Sequence, residues 1–248
     1  MSANTNVTTP NTPKRIALVA ANPAISPKTG WPIGFWWAEL THPWWAFREA
    51  GYAVEIFSPD GGPVEGDGWS DPEHESGYAA DDILSLGFKK APATAALLDD
   101  TKPLDELTTG AFDAVFFAGG QSPMVTFVEN EKVHRVIREF LDAGKVTALV
   151  CHATAALLKA RGSDGALVVH GKQWTGFADA EEAFADEAVG QRIQPFWIET
   201  EARKLEGTHF AVAAAGRPHA VRDGLLVTGQ QQFSGAAAAA LVIEALGR

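Results

Sequence analysis

The chain contains one thiol. Cys151 closes the run Val146-Thr147-Ala148-Leu149-Val150-Cys151, and His152-Ala153-Thr154-Ala155-Ala156-Leu157 follows. Five apolar or β-branched residues suit a buried strand, and the small residues after the cysteine suit the start of a helix. A strand that ends at a nucleophile and turns straight into a helix lifts the reactive atom above the sheet, as in a nucleophile elbow. The positive end of such a helix favours thiolate over thiol, and an unassisted thiol of pKa about 8.5 is only a few per cent ionised at neutral pH. A lone cysteine is more often a small buried hydrophobe. The strand-end position, the adjacent histidine and the small residues beyond it favour the catalytic reading.

A second turn lies one strand earlier, in Phe116-Phe117-Ala118-Gly119-Gly120-Gln121-Ser122. Paired glycines let backbone approach a ligand and aim an amide at a developing oxyanion. Alone they would be read as a tight βα turn. Ligands bind at the strand ends of open α/β sheets, so two such turns on successive strands reinforce each other. His74, between Glu73 and Glu75, could offer metal ligands, but a solvated acidic loop explains it better, so no metal site is assigned. No Walker A sequence and no G-x-G-x-x-G after the first strand is present, so no phosphate-bearing cofactor is expected.

These turns need a sheet to carry them. A strand is expected over Lys14–Ala21, with helical segments over Phe35–Leu40 and Pro43–Ala50 broken near His42. Strands follow at Tyr52–Phe57, Phe112–Phe117 and Val146–Val150, and helices at Glu129–Ala143 and Ala153–Ala160. Between Ser58 and Pro92 runs a Gly/Pro/Asp-rich excursion with one short helix at Asp81–Leu86. The last third offers strands at Ala166–Val169, Gln173–Gly176, His209–Ala215 and Ala220–Thr228, and helices at Pro195–Leu205 and Ser234–Leu246. Alternating strands and helices give an α/β fold, a mainly parallel sheet with helices on both faces in a three-layer sandwich. One domain over 14–248 is expected behind a disordered tail at 1–13.

The 248 residues carry 20 Lys plus Arg against 31 Asp plus Glu, a net charge of −11. That sign repels phosphate backbones and anionic membranes, so neither nucleic acid nor membrane is an expected partner. One cysteine excludes an internal disulfide and a Cys-based zinc site. With no signal-like or membrane-spanning apolar run, a cytoplasmic protein is expected.

The glycine pair followed by Val-Cys-His resembles the ThiJ/PfpI superfamily, within the flavodoxin-like class I glutamine amidotransferase-like fold, from about residue 14 to 247. Gly34-Phe35-Trp36-Trp37-Ala38-Glu39-Leu40-Thr41-His42-Pro43 resembles the segment that supplies its buried glutamate. Val54-Glu55-Ile56-Phe57-Ser58-Pro59-Asp60-Gly61-Gly62 is similar to its second strand and loop. Ser76-Gly77-Tyr78, Trp174-Thr175-Gly176-Phe177 and Val227-Thr228-Gly229-Gln230 resemble the branch of heat-shock-type chaperones and glutathione-independent glyoxalases. The resemblance implies Cys151 as nucleophile, Glu39 as a protonated carboxyl beside its sulfur and His152 as base. It further implies an orienting acid, Glu182 ahead of Asp179, an oxyanion or substrate site around Gly119, Gly120 and Gln121, and a homodimer. The chain departs from the branch at Gln121-Ser122 (usually His-Gly), Ala153-Thr154 (usually Gly-Pro) and Gln231-Gln232-Phe233 (usually an Asn-Pro stretch). All three departures fall on loops around the expected site and leave the substrate open.

The expected activity is a glyoxalase-type lyase on a small reactive aldehyde such as methylglyoxal, with no cofactor. An amidotransferase triad would need a late His-Pro-Glu, which Thr208-His209-Phe210 and Pro218-His219-Ala220 do not supply. A cysteine hydrolase (peptidase or amidase) of the same superfamily is an alternative. A holdase with a redox-sensitive Cys151 is another, for which Trp31, Trp36, Trp37, Trp44, Trp45 and Trp69 would form an exposed client patch.

Overall fold

Strand β1, Arg15–Val19, explains its own burial. Ile16 and Leu18 face one side while Ala17 and Val19 face the other, and all four are inaccessible to solvent. Only a sheet covered on both faces buries such a continuous apolar strand. The computed structural model describes residues 13–247, so the tail expected at 1–13 lies, apart from Pro13, outside the described residues.

The sheet adds β2 (Ala53–Ser58), β3 (Lys102–Pro103), β4 (Ala114–Phe117), β5 (Val146–Val150), β6 (Ala220–Asp223) and β7 (Leu226–Gly229). Their order is β6-β7-β5-β4-β1-β2-β3, parallel throughout except for the β6–β7 pair. Val19 pairs with Phe117, Phe117 with Leu149, and Val150 with Gly229. The carboxyl ends of the central strands therefore finish level, and their turns open along one edge.

Helices α1 (Trp37–Glu49), α2 (Ile83–Lys90) and α5 (Gly235–Leu246) share one hydrophobic cluster, with Ile16, Leu18, Phe116 and Val150. Helix α3 (Glu131–Asp142) packs into the other, with Val19, Phe117 and Leu149. Val133, Val136, Ile137 and Phe140 give α3 its buried stripe at helical spacing, and Asn130 caps it by accepting the Lys132 and Val133 N–H groups. This is the expected three-layer arrangement.

Several expected boundaries move. Helix α1 runs unbroken through Pro43. The proline is buried against Gly235 of α5, and packing of Leu40, Trp44 and Phe47 outweighs a cost of roughly 3 kcal/mol for an interior proline. The helix expected at Ala153–Ala160 is a 3₁₀ run, Cys151–Leu158, in which Thr154 Oγ1 donates to the Cys151 carbonyl. The excursion helix is α2, capped by Asp82, whose side chain accepts the Ser85 N–H. Ala166–Val169 forms no strand, only a bridge between Leu167 and Arg161.

Gln173–Trp174 and His209–Phe210 pair as a separate short ribbon, so the strands expected at Gln173–Gly176 and His209–Ala215 both shorten. The long helix expected at Pro195–Leu205 is Ile198–Ala202. Ala220–Thr228 folds back on itself at Gly224, where φ is 64°, as the β6–β7 hairpin. Helix α4, Asp179–Val189, has no counterpart among the expected elements: its acidic sequence lacks a core-facing stripe.

Candidate active site

Cys151 follows β5 with φ of 54°, the one non-glycine residue at positive φ among those described. For an L-residue this costs roughly 1–2 kcal/mol. The strain lifts the side chain out of the strand direction, and the backbone amides of Gly120 and His152 favour a charge on its sulfur. His152 Nδ1 lies 3.3 Å from Sγ, and its Nε2 lies 3.0 Å from Glu182 Oε1. A carboxylate on Nε2 assigns the proton there, leaving Nδ1 free to accept from the thiol. Phe177 stacks on the imidazole at 4.2 Å between centroids and holds its plane.

Glu39 enters from the first turn of α1 and is fully buried. Its Oε2 accepts the Gly119 N–H at 2.8 Å, the buried Oε1 has no hydrogen-bond partner, and the carboxyl stands beside Cys151 across Gly119. Burial raises the carboxyl to about 8, against the opposing pull of Cys151, His152 and Gly119. Glu39 is therefore a neutral acid at pH 7. Burial, followed by the Glu39 charge, also pushes the Cys151 thiol well above its ordinary range, and the two amides only partly offset this. The thiolate expected from a helix N-terminus is thus not the resting form. Cys151 is only 2% exposed and begins a 3₁₀ run instead of preceding an α-helix.

Burial opposes a charge on His152, but the surrounding carboxyls, Glu182 foremost with Glu39 and Asp67, together hold the imidazole above its ordinary range. Burial correspondingly raises Glu182. Asp179, the other acid considered, instead accepts from Thr200 N–H and Oγ1. The structure thus brings Cys151, His152, Glu39 and Glu182 into one buried cluster, in which hydrogen bonds run from Cys151 through His152 to Glu182.

The glycine pair divides its work. Gly119 turns its N–H to Glu39, and a Cβ there would stand 2.4 Å from Glu39 Oε2 and 2.8 Å from Cys151 Cβ. Gly120, at φ of 112°, leaves no room for a side chain: a Cβ there would stand 2.5 Å from the Trp36 backbone nitrogen and 2.6 Å from the Gly34 carbonyl oxygen. Gln121 lines the cavity with its buried Oε1 unpartnered. The sequence reading missed Asp67, a buried carboxyl whose oxygens accept the Gly34 and Gln121 N–H groups at 2.8 and 2.7 Å. Burial raises it to about 7. It ties the segment before α1 to the turn carrying Gly120. Its only sequence signal was an acid between two glycines in the long excursion.

Above Cys151 and His152 opens a cavity of about 480 Å³. Trp36, Trp69, Tyr78, Phe177, Phe184 and Phe233 are among its walls. The tryptophans do not form one surface patch: Trp37 and Trp44 are buried, whereas Trp36 and Trp69 face this cavity. Among the described residues, no group of three or more His, Cys, Asp or Glu is arranged to hold a metal ion. His74 pairs with Ser76 instead. No helix among them is long and apolar enough to cross a membrane.

Comparison with known proteins returns one family profile, DJ-1/PfpI, over residues 34–245. A fission-yeast (Schizosaccharomyces pombe) protein named glutathione-independent glyoxalase hsp3101 is 28% identical over 170 residues, covering 62% of each chain. Glyoxalase 3 of Candida albicans is 25% identical over 87% of this chain and 91% of its own. The crystal structure of that organism's glyoxalase III superposes with a TM-score of 0.76 at 21% identity, over 94% of this chain and 97% of the other. The Francisella tularensis Rapid Encystment Protein REP24 superposes with a TM-score of 0.83 at 22% identity, over 95% and 100%.

Proposed function

The chain belongs to the DJ-1/PfpI family, and from that premise we propose that it is a glutathione-independent glyoxalase-type lyase. It would convert a small 2-oxoaldehyde to a 2-hydroxy acid through a hemithioacetal on Cys151. The observation that carries this reading is the neutral Glu39 carboxyl beside the thiol, opposite a His152 braced by Glu182.

The steps balance on these groups. Cys151 sulfur attacks the aldehyde carbon C1 as its proton passes to His152 Nδ1, and Glu182 stabilises the imidazolium. The Gly120 and His152 amides stabilise the alkoxide, which takes the Glu39 proton. The Glu39 carboxylate then removes the C1 hydrogen as a proton. Its electron pair forms the C1–C2 double bond, and the C2 oxygen takes the His152 proton, giving an enediol. Glu39 returns its proton to C2 while the C1 hydroxyl proton passes to His152, leaving a thioester.

Water, losing a proton to Glu39, attacks C1; the C–S bond breaks and sulfur takes the His152 proton. C1 is oxidised and C2 reduced within one molecule, so one water is consumed and no external oxidant is needed. Each positioned acid–base group contributes on the order of 10²–10⁴-fold. The buried, neutral thiol argues against a resting oxidation sensor, which works best as an accessible thiolate. The cytoplasmic location and homodimeric state expected above accompany this reading, and sedimentation would test the latter.

The test is methylglyoxal consumption with lactate detection, without glutathione, in the wild type, Cys151→Ala and Glu39→Gln. Lactate from the wild type and at least about 10⁴-fold less from Cys151→Ala is expected. A folded wild type that makes no lactate would overturn the reading.

A further inference from the structure

The cavity is too large for the substrate that the chemistry alone requires. Methylglyoxal has three carbons and two oxygens, whereas 480 Å³ falls in the range of about 300–1,000 Å³ that accepts drug-sized ligands. The excess space is aromatic. Trp36 meets Tyr78 edge-on at 6.0 Å, Trp69 packs on Tyr78 at 6.3 Å, and Gln232 Nε2 donates to the Tyr78 hydroxyl at 3.0 Å. These contacts hold one wall in place before any ligand arrives.

Phe184 of α4 and Phe233, also on the cavity, are 70% and 51% exposed. Large apolar side chains clustered at the mouth of a cavity are left for a ligand to cover. Charge narrows the class further. Among the described residues, no Lys or Arg lines the cavity, so no permanently charged cation there would pair with a carboxylate or phosphate on the substrate.

We propose that the substrate is an aryl 2-oxoaldehyde, with a phenyl-sized ring on its ketone carbon lodged between the Trp36–Tyr78–Trp69 wall and Phe184 and Phe233. This rests on the glyoxalase reading and names its substrate class. Phenylglyoxal plus one water then gives mandelic acid by the steps above, with the aldehyde carbon oxidised and the ketone carbon reduced.

The test compares kcat/KM for phenylglyoxal and methylglyoxal without glutathione, alongside binding of unreactive acetophenone and acetone followed by tryptophan fluorescence. Phenylglyoxal is expected to be preferred by at least about tenfold, a margin typical of filling an apolar subsite. Phe184→Ala and Phe233→Ala should each cut that preference several-fold, and acetophenone should bind at least about tenfold more tightly than acetone. Equal or reversed preference overturns the inference while leaving the glyoxalase reading intact. A preference unchanged in both phenylalanine variants also overturns it, because the ring would then lie elsewhere. If the folded protein turns over neither aldehyde, the glyoxalase reading fails. Acetophenone binding then decides the pocket alone: tight binding keeps it aryl-selective, and binding no tighter than acetone removes that too.

Discussion

The two ends of strand β5 obey different rules. From Val146 to Val150 the strand is apolar, buried and paired on both sides with extended neighbours, so local preference and tertiary packing agree. One residue later Cys151 sits at positive φ, against buried Glu39 and within reach of buried His152 and Glu182. The interior of the sheet stabilises the fold; its carboxyl edge holds strain and buried acids that oppose folding. Such local conflict is expected where structure serves chemistry.

The sharpest way to separate the two regions is a substitution that harms one while helping the other. Glu39→Gln should lower kcat on the order of 10²–10⁴-fold. Its stability should move the opposite way. Between its ordinary 4.5 and about 8, folded Glu39 keeps a proton that the unfolded chain has lost, so wild-type stability falls as pH rises through that window. The Glu39→Gln variant lacks this penalty, and its advantage over the wild type in urea unfolding should widen from pH 4.5 to about 8 and then level off. A constant difference across that range would contradict the raised carboxyl.

The converse change lies in the sheet's far layer. Phe140→Ala, which removes a fully buried ring on α3, should cost about 3–5 kcal/mol in denaturant unfolding. The surviving folded fraction should keep its turnover per molecule; a selective loss of kcat would mean that the core is not mechanically separate from the edge. Asp67→Asn tests the tie between them. An amide cannot accept from both Gly34 and Gln121 N–H groups on its two heads, so the turn holding Gly120 should loosen. We expect kcat to fall on the order of tenfold with a smaller change in KM. A change in stability alone would make Asp67 structural only.

The smallest effect concerns the strain itself. Glycine usually destabilises a fold relative to alanine, but at φ of 54° the order should reverse. Cys151→Gly should be about 1 kcal/mol more stable than Cys151→Ala in urea unfolding. Equal stability, or alanine ahead, would remove the strain from this account.

The sequence made the interior legible because burial writes itself as continuous apolar runs: β1, β4 and β5 fall where Ile16, Phe116 and Leu149 demanded. Helix α3 likewise follows from its stripe. The edge was only partly legible. Cys151, His152 and the glycine turn announced themselves by position on successive strands, whereas Glu39 and Glu182 came through resemblance. An acid that is buried by tertiary packing looks the same in sequence as one on a solvated face. Asp67 shows this most clearly, since both its partners are backbone amides of distant loops. The resting thiol was misjudged for a related reason: the local helix argument ignored burial, which here is the largest influence on the sulfur. Around the cavity, Gln121 and Phe233 were noted as departures from the resembling branch, and both stand on its wall.

The most direct test of a Cys151-centred reaction is to quench the protein during methylglyoxal turnover and map the adduct by mass spectrometry. The account predicts a methylglyoxal-derived mass on the peptide carrying Cys151, accumulating in Glu39→Gln, which can add the aldehyde but isomerises it slowly, and absent in Cys151→Ala. Lactate formed at the wild-type rate by Cys151→Ala, with no adduct on Cys151 in the wild type, would contradict it.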